Sequence, residues 1–239
     1  PYVVFNDHLP HRSLAVGKKP PRLTGQALKS GRNPQEHLRL LAEMHSRSSE
    51  VPAALQGLAR RLQARETLLG SHDDADAAAD ALARGLGAIV SEFPETEAAA
   101  EAAATTQRSV VLGAPNVVRG GSQAGNVSAS NLVQDGLCDV LVSDYHLPAL
   151  PLAVWALVDR GILDLAQAWA LISTRPAQVM GLHDRGEIAL GRRADLVVVH
   201  AASRKIEATI CAGRLTHLSG QAALRFMGLG RAQTALAAE

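Results

Sequence analysis

Five short apolar runs, each followed by polar residues and separated from the next by a helix-forming stretch, constrain this chain more than anything else in it. They fall near residues 2–6, 67–71, 88–90, 109–113 and 138–142. Strands that alternate with helices give a parallel sheet with helices packed on it. The stretch Val110–Pro148 shows the unit most clearly: a strand stopping at Gly113, a glycine-rich loop with one arginine, a helix-forming segment, and a second strand ending in Ser143-Asp144. Ligands of such folds bind at the C-terminal edge of the sheet. Five strands suit a doubly wound sheet, or an incomplete (β/α)8 barrel of the TIM type, which has eight.

The connecting segments carry their own signals. Asn33-Pro34 predicts a helix start, with Asn33 as N-cap, Pro34 in the first position and an apolar stripe of Leu38, Leu41 and Met44. Pro52 opens a second helix, to about Ala64, with Leu55, Leu58 and Leu62 inward. Further helices are expected at 75–86 and 95–106, and beyond Pro148 at 151–159, 164–173 and 175–181. Residues 11–33 are basic, rich in Gly and Pro and without periodicity, so a long loop acting as a lid or binding element is expected there. The tail changes character, with short apolar runs between turn glycines that predict a small β element. The expected organisation is a barrel portion over 1–182, a small β-sandwich segment over 183–220 and a tail over 221–239. The chain starts at Pro1, inside an apolar run and without an initiator Met, and reads as a fragment of a longer protein.

Composition narrows the function classes. Apolar residues are 47% of the 239 but aromatics only 3%, so Leu, Val, Ile and Ala must fill the core. A net charge of +1 gives no argument for a nucleic acid or a membrane surface. Cys138 and Cys211 sit in apolar runs and read as buried free thiols in a reducing compartment. With neither a signal peptide nor a run of the ~20 apolar residues that a membrane span needs, the chain is expected to be cytoplasmic.

Four strand ends carry groups able to bind metal or move protons: Asp7-His8, His72-Asp73-Asp74, Glu92 and Ser143-Asp144. On a parallel sheet these ends share one edge, which is how a metal site is assembled from distant parts of a sequence. Each alone is equally a strand-end cap or turn residue; their recurrence at consecutive strand ends favours a site. The loop from Gly113 to Asn126 offers glycine N–H groups, the Arg119 guanidinium and the neutral donors Ser122 and Asn126, a set suited to an anion. A glycine-rich turn with a solvated arginine would look the same. The loop matches neither a Walker A motif nor a dinucleotide fingerprint. Arg12, Lys18, Lys19, Arg22 and Lys29 are placed to close over an anionic substrate, or to be solvated.

Taken together, HDD after a strand, SEFPET, GAPNVVRGGSQAGN and VSDYHLP, in this order, resemble the amidohydrolase superfamily, and RPAQVMGLHDRGEIALGRRADLVVV resembles that superfamily's common ending. GAPNVVRGGS is similar to one branch in particular, which releases diphosphate from a ribose 1-methylphosphonate 5-triphosphate in phosphonate catabolism. The resemblance implies a metal-dependent hydrolase barrel with part of a small β-sandwich, a divalent metal (zinc), a small phosphorylated substrate and a homodimer. It implies that His8 and His72 ligate metal, and that Asp144 ligates it or accepts the proton of the attacking water. It implies phosphate contacts from Arg119, Gly120, Gly121 and Ser122, with Asn116 and Asn126 beside them and Lys18 and Lys19 as further candidates. Two departures bear on activity: the branch carries His where this chain has Gln123, and its first strand, with a paired histidine motif, is missing here. Weak or absent activity of this polypeptide alone is therefore expected. The alternatives are an amidohydrolase cleaving a C–N bond, such as a cyclic amidase or deaminase, and a degenerate binding protein without catalysis.

Overall fold

The computed structural model describes residues 1–121 and 126–228. The chain divides into two compact units, Pro1–Ala156 and Leu157–Glu239. The division falls earlier than residue 182, inside a helix.

The first unit opens with β1 (Tyr2–Phe5), α1 (His11–Ala15), α2 (Leu23–Lys29), α3 (Pro34–Ser46) and α4 (Val51–Gln63). The expected long loop over 11–33 therefore holds two short helices. They escape a periodicity test because Leu23 and Ala27, one turn apart, are their only buried side chains. Asn33 caps α3 as expected, accepting from the Gln35 N–H at 2.8 Å. Met44 of α3 and Leu58 of α4 are exposed rather than inward, and the buried contact of α4 is Ala59. The alternating units follow: β2 (Leu68–His72), α5 (Ala77–Gly85), β3 (Val90–Glu92), α6 (Glu97–Thr105), β4 (Ser109–Gly113), α7 (Ala114–Arg119), α8 (Ala129–Gln134) and β5 (Val140–Val142), then α9 (Ala149–Asp159), which runs across the division. β3 lies two residues later than the sequence suggests.

All four strand pairings are parallel and the order is β1-β2-β3-β4-β5. A doubly wound sheet reverses its order part-way, with helices on both faces. An order that never reverses puts every right-handed crossover on one face, as in a barrel wall. The register assigns the faces, because side chains alternate along each strand. Leu69 packs with Ala59, Ala83, Ala88, Val3, Phe5, Leu62 and Leu86, so its face is the helix-covered one. Gly70 and His72 fall on the opposite face, in register with Val90 and Glu92.

The second unit contains α10 (Leu165–Ala170), α11 (Thr174–Val179), β6 (Leu196–Val199), β7 (Ile206–Cys211), β8 (Arg214–Leu218) and α12 (Gly220–Phe226). A capping box starts α10: Asp164 accepts from the Gln167 N–H at 2.8 Å and the Gln167 side chain accepts in return. The antiparallel sheet has order β6-β7-β8. The expected tail begins as a helix instead, because Glu207 of β7 accepts from the Ala222 N–H at 2.9 Å and fixes the start of α12. Cys138 is half-buried, whereas Cys211 is exposed, contrary to the buried position its apolar run suggests. No helix among the described residues is long and apolar enough to cross a membrane.

Candidate active site

At the C-terminal rim of the parallel sheet lies a cavity of about 260 Å³, lined by residues that include His72, Asp73, Phe93, Asn116, Arg119, Asn126, Asp144 and Tyr145. Three of these adopt positive φ although they are not glycine: Asp73 (57°), Phe93 (53°) and Asp144 (50°). Each directly or nearly follows a strand. Such a conformation costs about 1–2 kcal/mol per residue and persists only where its surroundings hold it. At the rim they do: the Asp73 N–H donates to the Glu92 carbonyl at 2.9 Å, and the Phe93 N–H to the Val111 carbonyl at 2.9 Å.

The left-handed turn brings the Asp73 carboxylate back onto the imidazole before it. Its Oδ1 lies 3.0 Å from Nδ1 of His72, and its Oδ2 lies 4.0 Å from Nε2 of His8. The two imidazoles meet edge to face with centroids 5.9 Å apart, and Phe93 backs His72 at 5.0 Å. One ligand atom each from His8, His72 and Asp73 falls within 4.8 Å of the others. Nδ1 of His72 is buried and makes no aligned hydrogen bond, despite the carboxylate oxygen 3.0 Å away. Ligands at roughly 2.0–2.2 Å from one ion stand about 3–3.5 Å apart. The 3.0 Å between His72 and Asp73, the nitrogen–oxygen donor set and the unengaged nitrogen fit a divalent cation, toward which His8, 4.0 Å from Asp73, would draw in by under an ångström. The sequence resemblance implies His8, His72 and Asp144 as ligands; Asp73, named there only as one of the strand-end acids, takes the third place in the set instead. Asp144 lines the same cavity but lies outside the three-residue set.

The segment after β4 differs from the expected loop. Residues 114–119 are helical: Pro115 occupies the first turn, Ala114, Pro115 and Val117 are buried, and Gly120 closes the helix at φ 78°. The Gly120 and Gly121 N–H groups donate back to the Asn116 carbonyl at 3.1 and 3.2 Å, so both are engaged in the cap. Neither glycine lines the cavity, and neither do Lys18 or Lys19. Ser122 and Gln123 lie outside the described residues. Arg119 closes α7 and donates to the hydroxyl of Tyr145, whose ring lies 6.0 Å from the guanidinium carbon. Asn116 accepts from the Ala129 N–H at 3.3 Å, and Asn126 donates to Glu95 at 3.4 Å. Among the described residues, the cavity thus combines two members of the cation-binding set, His72 and Asp73, with one arginine and two amides, while His8 stands beside it on the same rim. Tyr145 was not anticipated; its adjacency to Asp144 was the only hint.

Below the rim, on the face of His72, the Tyr2 hydroxyl donates to Oε1 of Glu92 at 2.9 Å. Tyr2 is on β1 and Glu92 on β3, so the ring crosses β2 at Gly70, where a Cβ would lie 2.5 Å from the hydroxyl. Burial first, then the charge and hydrogen bond of Glu92, push ionisation of this phenol well above its usual range.

Comparison with known proteins agrees with this geometry. A model of the amidohydrolase family matches residues 156–217. The chain is 43% identical over 174 residues to the alpha-D-ribose 1-methylphosphonate 5-triphosphate diphosphatase of Escherichia coli (strain K12), covering 72% of this chain and 44% of that protein. The chain thus spans less than half the length of this relative. Among solved structures, an amidohydrolase from Thermotoga maritima MSB8 superposes with TM-score 0.57 at 17% identity, over 91% of this chain and 62% of that one. An N-acetylglucosamine-6-phosphate deacetylase from Pasteurella multocida superposes with TM-score 0.54 at 12% identity, over 68% and 54% respectively. The likeness to amidohydrolases read from the motifs holds, and the fold is of their TIM-barrel class.

Proposed function

We propose that this chain carries the phosphate-side portion of a metal-dependent hydrolase that releases diphosphate from alpha-D-ribose 1-methylphosphonate 5-triphosphate. The observation that carries the reading is a cation-binding set, His8, His72 and Asp73, on the same rim as an arginine-and-amide cavity. The substrate comes from the 43% identical relative. The mixture of imidazole and carboxylate donors suits zinc. When bound, such a metal polarises a phosphoryl oxygen and lowers the pKa of a coordinated water.

The residues of the chain then divide the work. Arg119 holds phosphate oxygens through its planar fork, which Tyr145 orients. Asn116 and Asn126 contribute neutral donors at the two sides of the cavity. Asp144, exposed at the end of the last strand of the parallel sheet, accepts the proton of the attacking water on a carboxylate oxygen. Phe93 and Pro94 supply an apolar wall.

The test combines metal content with product release. Zinc or cobalt(II) is expected to bind stoichiometrically and to be lost in His72→Ala. Diphosphate release is expected to stop in Asp144→Asn, while Arg119→Ala raises KM for the triphosphate about 10-fold or more, as removal of a charge-assisted contact does. Folded protein that binds no metal sinks the reading. Metal-loaded protein that hydrolyses amides but no triphosphate transfers it to C–N chemistry.

A further inference from the structure

Behind the cation-binding set lies a group of charges that the proposed chemistry does not use. Arg108, Asp74 and Asp80 are 3%, 6% and 2% exposed, and Ser71 and Ser91 are buried with them. Ser71 and Ser91 are register partners on β2 and β3 and share the helix-covered face with Leu69, while Asp80 comes from α5. Arg108 donates to the Ala88 carbonyl at 3.0 Å, the Val90 carbonyl at 2.8 Å and the Ser71 hydroxyl at 2.5 Å, and pairs closely with Asp80. Oδ2 of Asp74 accepts from Ser71 at 2.5 Å, Ser91 at 3.0 Å and Arg108 at 3.5 Å.

Stability alone is a poor reason for this arrangement. Buried ion groups are often no more stabilising than apolar residues of the same volume. What sets this group apart is its position, because Asp74 directly follows Asp73. Its side chain is anchored by three donors, and its carbonyl accepts from the Glu95 N–H at 2.9 Å. On the other side, His72 is held in β2. Asp73 is thus left-handed between two fixed neighbours, and the direction of its carboxylate follows from theirs.

We propose that Asp74, clamped by Arg108, Ser71 and Ser91, is the positioning residue of the cation site, holding the Asp73 carboxylate against His72. This rests on the metal reading given above. Partners that orient metal ligands without touching the ion typically change metal affinity about 10–100-fold when removed.

The experiment is a cobalt(II) titration of the whole chain, followed by its visible spectrum and by competition with a chromogenic chelator. Folding of each variant is checked by far-UV circular dichroism. Ser91→Ala and Asp74→Asn are expected to weaken cobalt affinity about 10-fold or more, and to alter the spectrum. Asp80→Asn, which perturbs the same cluster from the α5 side, is expected to lower the melting temperature with affinity nearly unchanged. Should Asp74→Asn not fold, Ser91→Ala and the double variant Ser71→Ala/Ser91→Ala carry the test. Unchanged affinity in the folded serine variants overturns the proposal, as does an equal loss in Asp80→Asn. A parent chain that binds no cobalt, or whose binding survives His72→Ala, overturns the metal reading and this proposal with it.

Discussion

Gly70 should be replaceable only when Tyr2 has lost its hydroxyl. A Cβ at residue 70 would stand 2.5 Å from Tyr2 Oη and 3.2 Å from two ring carbons. In the native background Gly70→Ala must push the ring away and break its bond to Glu92. Overpacking costs about 1–3 kcal/mol, and a hydrogen bond to a charged group contributes roughly 1.5–3 kcal/mol. Glu92 is half-buried, so the lower end of that second range applies, and a total near 3 kcal/mol is expected for Gly70→Ala. Tyr2→Phe loses only the bond, about 1–2 kcal/mol. With Phe at residue 2 the ring is untethered and free to shift by tenths of an ångström, and replacing a strand glycine by alanine should return about 0.5–1 kcal/mol. Gly70→Ala in that background is therefore expected to be near neutral, giving a coupling of about 3 kcal/mol, against additivity within about 0.5 kcal/mol for independent sites. Urea unfolding of the four proteins, followed by circular dichroism, measures it. An additive cycle would refute the crossing of β2 by the Tyr2 ring.

The strain at Asp73 predicts opposite effects from two deletions of the same carboxylate: both Asp73→Gly and Asp73→Ala should abolish cobalt binding, but the glycine variant should be the more stable by about 1 kcal/mol in thermal unfolding. Equal stabilities would remove strain from the account. Asp195 accepts from the Ala212 N–H at 2.7 Å and from Arg193 at 3.0 Å, and these contacts hold its carboxyl below the usual range. A depressed folded pKa contributes stability present above the unfolded value, about 4, and lost as pH falls through the folded value. The gap in melting temperature between the parent and Asp195→Asn should thus be constant from neutrality down to about pH 4 and close below it; a gap undiminished in stronger acid contradicts this. Burial, with Asp139 adding its charge, pushes the Cys138 thiol far up, while Cys211 is exposed. A maleimide at neutral pH should label Cys211 alone in folded protein, and labelling of both thiols would show the Cys138 environment to be open.

The parts of this fold that were legible in the sequence are those whose causes are local. Each strand of the parallel sheet is an apolar run bounded by glycine or an acid, and Asn33-Pro34 names its own helix start. α7 was hidden because APNVVR runs into GG, and the glycines suggested a loop; the glycine pair in fact terminates a helix whose buried face is only Ala114, Pro115 and Val117. Of the candidate site, His72, Asn116, Arg119, Asn126 and Asp144 share one cavity because strand ends of a parallel sheet share one rim. Lys18 and Lys19 do not join them; a basic segment advertises charge, not direction. That Asp73, out of the strand-end acids, joins His8 and His72 was not legible, because its place depends on a left-handed φ that no residue type dictates. Arg108 looked like any arginine before a strand, since its partners lie up to 37 residues away.

The alternation of side chains along β2 explains how one short strand serves both sides of the sheet. Leu69 and Ser71 face the helices; Gly70 and His72 face away from them. Apolar packing suffices for Leu69, but a serine on the covered face needs a partner, and Asp74 supplies it from beyond the strand end. To reach back to Ser71, the chain must reverse at residue 73, and the left-handed Asp73 is that reversal. The same reversal returns the Asp73 carboxylate to His72 on the other face. The buried clamp and the cation-binding set are thus two consequences of one turn. A substitution that frees Asp74 should loosen the site even though it touches none of the three ligands, because the network around Arg108 is what anchors the Asp74 side chain beyond the turn.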